Sequence, residues 1–69
     1  MLLEFSNHAI IRMKQRGISD IHILYVLKHP IHIKKYDDDV MEAEAIVDSR
    51  SIKIIFTQNE NFIKIITVI

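Results

Sequence analysis

The chain has a single glycine, Gly17, and a single proline, Pro30, and these two residues fix most of what it can fold into. Ser6 and Asn7 offer short side-chain oxygens to the free N–H groups of a first helical turn, and Gly17 supplies the left-handed residue that ends a helix, so residues 6–16 read as a first helix. Ser19 caps a second helix running to about His29, where Pro30 stops it by pushing the preceding residue out of the helical region. Beyond Pro30 the chain turns β-branched. Segments 31–36, 40–47, 52–57 and 62–69 read as strands, separated by Asp37-Asp38-Asp39, Asp48-Ser49-Arg50 and Gln58-Asn59-Glu60-Asn61. The expectation is one α+β domain over 1–69, two N-terminal helices packed on a four-stranded, mainly antiparallel sheet in the order ααββββ.

Sixty-nine residues without cysteine form no disulfide, yet 49% hydrophobic content is too high for a disordered tail. In the last strand Phe62, Ile66 and Val68 alternate with Ile63, Ile65 and Ile69. Both sheet faces therefore seek cover, one from the helices and the other from a partner or a second copy of the chain. The opening residues have neither a basic n-region nor an apolar core of signal-peptide length, and no apolar run could span a bilayer, so a cytoplasmic protein without membrane contact is expected.

Net charge is zero, which argues against a general nucleic-acid coat protein, but the charges are segregated. Residues 1–36 carry +4 and all four histidines, residues 37–48 carry −6, and residues 49–69 carry +2. On the first helix His8, Arg12 and Arg16 recur every four residues and form one stripe beside the apolar stripe of Ala9 and Met13. An imidazole that exchanges protons near neutrality, followed by two guanidinium groups, suits metal-independent RNA cleavage: a base for the ribose 2′-OH and cations for the phosphorane. Spacing alone favours the plainer reading of the same stripe, the solvated flank of an amphipathic helix. His22 and His29 lie seven apart, too far for two ligands of one ion, and read with His32 as surface histidines, so no metal and no cofactor are expected. Glu42 and Glu44 share a strand face and read as the solvated edge of a charged hairpin rather than as a general base or metal pair. Tyr25, within an apolar helix, reads as a packing residue.

The stretch Phe5-Ser6-Asn7-His8-Ala9-Ile10-Ile11-Arg12-Met13-Lys14-Gln15-Arg16-Gly17-Ile18-Ser19 resembles the opening F-S-x-H-A-x-x-R-M-x-x-R-G-I-S of a prokaryotic family catalogued as domain of unknown function number 4258. His29-Pro30, Arg50 and Ile65-Ile66-Thr67-Val68 continue the likeness over essentially the whole chain. That family in turn resembles the small toxins of the RelE, ParE and BrnT kind. The resemblance implies a RelE/ParE-like fold and a toxin-like endoribonuclease with His8, Arg12, Arg16 and Thr67 as catalytic residues. It also implies that Arg12, Arg16 and Arg50 hold RNA phosphate and that an antitoxin, or a second copy, covers the apolar sheet face. The alternative is a non-catalytic homodimeric binding module of the same fold for protein or nucleic acid, including ParE-like inhibition of gyrase. The chain departs from such toxins in being neutral rather than markedly basic, which confines RNA contact to its basic side.

Overall fold

The computed structural model describes residues 2–69; Met1 lies outside the described residues. Seven elements follow in order: β1 (Leu2–Phe5), α1 (Asn7–Arg16), α2 (Asp20–Lys28), β2 (His32–Asp37), β3 (Val40–Val47), β4 (Arg50–Gln58) and β5 (Phe62–Val68). The strands form one sheet in the order β1-β5-β4-β3-β2. Its class is α+β, as expected, but it has five strands and is mixed: β1 runs parallel to β5, while the other pairs are antiparallel. The fifth strand is the segment Leu2-Leu3-Glu4-Phe5, too short and too close to the helix cap to announce itself. Its partner stands some sixty residues away, so only the tertiary fold makes it a strand.

The helix ends follow the local chemistry. The hydroxyl oxygen of Ser6 accepts from the N–H of Ala9 at 2.9 Å, and Gly17 adopts φ 65° so that the Ile18 N–H reaches Met13 O at 2.8 Å. The α2 helix stops at Lys28, with His29 as its cap. At the β3–β4 turn Val47 pairs with Arg50, leaving Asp48 and Ser49 at φ 51° and 68°. A two-residue hairpin turn needs this left-handed pair to match strand twist, and serine bears it at a cost that glycine does not. Ser49→Gly is therefore expected to stabilise the chain by about 0.5–1 kcal/mol, seen as a rise in thermal midpoint of a few degrees.

Both helices lie on one face of the sheet, α1 over β5 and β1, and α2 over β3 and β4. Between them Ala9, Ile18, Ile23 and Val26 meet Ala43, Ala45, Val47, Ile52, Ile54, Phe56, Ile65 and Val68 in one buried cluster. The small side chains of Ala43 and Ala45 let α2 approach β3 closely. In β5 strict alternation fails. Thr67 pairs with Ile55 but Ile65 pairs with Phe56, so Ile66 is an extra residue, a β-bulge that shifts the phase of the strand. Ile65 and Val68, expected on opposite faces, are consequently both fully buried under the helices. The bulge is tied to α1, because the Ser6 hydroxyl donates to Ile66 O at 2.5 Å.

Candidate functional site: a basic ridge and a charged sheet face

His8, Arg12 and Arg16 stand one turn apart along α1, with Ala9 buried and Met13 packed on the core beside them. His8 is exposed, whereas Arg12 and Arg16 are half-buried. Arg12 donates through Nε to Val68 O at 3.3 Å, just past the end of β1, where the β5 edge has no strand neighbour. That bond pins the side chain and leaves its four remaining N–H donors on the two terminal nitrogens. Among the described residues neither Arg12 nor Arg16 is ion-paired. Successive ridge residues are about 6 Å apart along the axis, so one ribose-phosphate unit can touch His8 and Arg12 together while Arg16 meets a neighbouring phosphate.

Arg50 and Thr67 stand elsewhere. The Arg50 guanidinium donates to Arg16 O at 2.8 Å and Gly17 O at 3.2 Å, capping the C-terminus of α1, where unpaired carbonyls attract a cation. Thr67 pairs with Ile55, which is buried yet outside the helix-side cluster, so both lie on the sheet face turned away from α1. The sheet thus separates Thr67 from the ridge.

That outer face is charged rather than broadly apolar. Cross-strand register lines up Lys34, Glu42, Ile55 and Thr67 in one row, and His32, Glu44 and Lys53 in the next. Glu42 was expected on a solvated edge, but β3 lies inside the sheet and Glu42 is only 5% exposed. Its Oε2 makes no hydrogen bond among the described residues, and the ammonium groups of Lys34 and Lys53 stand 3.6 and 3.8 Å away and balance its charge. Glu44 accepts from the Ser51 hydroxyl at 2.5 Å and faces His32 Nε2 at 3.2 Å. The Ser51 hydrogen bond holds the Glu44 carboxyl below its usual value, helped by His32, Lys53 and Lys34 and opposed by partial desolvation. A carboxyl lowered in the folded state stabilises the fold above its unfolded pKa and loses that contribution as pH falls through the folded value. Stability is therefore expected to fall on acidification below about pH 4.5, and Glu44→Gln is expected to flatten that part of the urea-unfolding profile.

The other histidines have structural neighbours. His22 accepts through Nδ1 from the Ser19 N–H at 3.0 Å, returning a cap to the start of α2, and its Nε2 lies 3.7 Å from Asp48. His29 meets the Tyr25 ring at 5.0 Å, and Tyr25, expected as a packing residue, is 45% exposed. Among the described residues no three acidic, histidine or cysteine side chains are grouped to hold a metal ion. No helix among them is long and apolar enough to cross a membrane.

The sequence reading missed the burial of Glu42 and the bond from Arg12 to Val68 O. The hairpin turns on either side of Val40–Val47 were the available signal for the first, since they give that strand a neighbour on each side. No curated protein and no solved structure matches the chain significantly. A family model matches residues 5–69, from the end of β1 through the last residue, and so includes the ridge, its Arg50 cap and the bulged strand. On that match the chain belongs to DUF4258, a domain of unknown function.

Proposed function

We propose that this chain is a toxin-like, RelE/ParE-related domain that cleaves RNA without a metal ion, using the α1 ridge. The observation that carries the reading is the His8–Arg12–Arg16 ridge, free of ion pairs among the described residues, with Arg12 pinned by Val68 O so that its terminal nitrogens are left for a phosphate. The ribose 2′-oxygen attacks phosphorus and gives its proton to the unprotonated His8 imidazole. The bond from phosphorus to the 5′-oxygen breaks, that oxygen takes a proton from His8 or from water, and a 2′,3′-cyclic phosphate remains. Arg12 and Arg16 neutralise the charge that develops on the phosphorane. Arg50 serves by fixing the helix end that carries Arg16. Thr67, behind the sheet, takes no part in contact with the same phosphate. The setting is cytoplasmic, with an antitoxin as regulating partner.

A second reading, a non-catalytic module that docks protein or nucleic acid on the same ridge, is favoured by one observation. Two clefts among the described residues are lined by residues of α2 and the sheet and lie away from His8, Arg12 and Arg16. Purified protein incubated with end-labelled RNA in excess EDTA separates the two. Fragments ending in a cyclic phosphate support cleavage, while RNA that is bound but left intact supports the module.

A further inference from the structure

The α2 helix buries Ile23 and Val26 against the sheet, yet Ile21, Leu24 and Tyr25 on its outer side remain 72%, 42% and 45% exposed. With Lys28 they occupy positions i, i+3, i+4 and i+7, one continuous outward stripe. A helix apolar on both sides is half-covered by its own fold. A groove flanks it on either side. One, of about 340 Å³, is lined by Leu24, Leu27 and Lys28 with Leu3 and Ile63; the other, of about 330 Å³, is lined by Ile21, His22, Tyr25, Ile46, Val47 and Asp48. Leu24, Leu27 and Lys28 are the i, i+3, i+4 set that makes a socket for a side chain from another helix, and Ile21 is the protruding side chain at the opposite end of the stripe.

We propose that α2 packs antiparallel against α2 of a second copy of this chain, about a two-fold axis beside Leu24 and Tyr25, with each Ile21 seated in the other copy's Leu24-Leu27-Lys28 groove. A second copy fits because the surface is self-complementary: socket and knob lie at opposite ends of one stripe, so an antiparallel overlay fills both sockets at once. The charges agree. Asp20 opens α2 and Lys28 closes it, and the antiparallel arrangement sets each acid against the other copy's base while opposing the two helix dipoles. Two other surfaces fit a second copy less well. The outer sheet face carries paired charges, and the β2 edge is blunted by Lys34, Lys35 and Asp37 and by a register shift between Lys35 and Asp37.

Sedimentation velocity over a concentration series tests this. The full chain is expected to show reversible monomer–dimer exchange in the micromolar range. Ile21→Glu is expected to weaken it at least about tenfold with an unchanged circular dichroism spectrum, because Ile21 is already exposed in the single chain. Asp20→Lys and Lys28→Asp are each expected to weaken self-association, and an equimolar mixture of the two to restore it. A chain that stays monomeric throughout, a dimer that survives Ile21→Glu, or a mixture that fails to restore pairing would overturn the proposal.

Discussion

Ile54→Ala is expected to leave the chain largely unfolded. Ile54 is fully buried in the middle of β4, paired with Ala43 on one side and Val68 on the other. Removing buried methylenes costs their transfer free energy plus the cavity left behind, about 2–5 kcal/mol for isoleucine to alanine. The methyl group of the Ala43 neighbour is too short to move into the space, which places the cost toward the upper part of that range. A chain of 69 residues without a disulfide holds only a few kcal/mol in reserve, so a loss of this size consumes most of it. Urea unfolding followed by circular dichroism reads the effect. Ile46→Ala, at a half-exposed position, is the matched control and is expected to shift the midpoint little. Equal losses at the two positions would contradict the placement of the core.

His8→Ala is expected to reduce RNA cleavage by about 10²- to 10⁴-fold, the usual contribution of a positioned acid–base group. His8 is exposed and its side chain makes no hydrogen bond or ion pair among the described residues, so the variant is expected to keep the stability and RNA affinity of the parent. Arg12→Ala is a different case. It removes a phosphate ligand and also the donor to Val68 O, and is expected to weaken RNA binding, slow cleavage and lower the thermal midpoint together. Cleavage rate, filter binding and thermal unfolding on the same preparations distinguish the two patterns. An unchanged rate for His8→Ala removes its catalytic role.

Both helices were legible because their ends are local chemistry: Ser6 bonds Ala9, Gly17 turns left-handed, and Pro30 admits no further turn. The β2–β3 and β3–β4 hairpins were legible from Asp37-Asp38-Asp39 and Asp48-Ser49-Arg50 for the same reason, although Asp37 and Arg50 belong to the flanking strands. What depends on residues distant in sequence was not. Leu2–Phe5 becomes a strand only because β5 offers an edge. The bulge at Ile66 is stabilised by the hydroxyl of Ser6, and with it the buried face of the last strand changes phase. The ridge of His8, Arg12 and Arg16 follows from helical spacing alone, so it survives into the structure. Thr67 and Arg50 depended on strand phase and tertiary direction, and they point to another face and to a helix end. Glu42 and Glu44 were read as solvated because their segment is acidic, but cross-strand lysines and a histidine cover them once β3 is placed inside the sheet.

The most direct test of the proposed chemistry uses a short RNA with one preferred cleavage position, compared with the same strand carrying a single 2′-deoxyribose there. Attack by the 2′-oxygen predicts a cyclic phosphate end on the first strand and no cleavage at that position of the second, with both strands bound equally. Cleavage of the 2′-deoxy strand, or no cleavage of either strand at saturating protein, would contradict it.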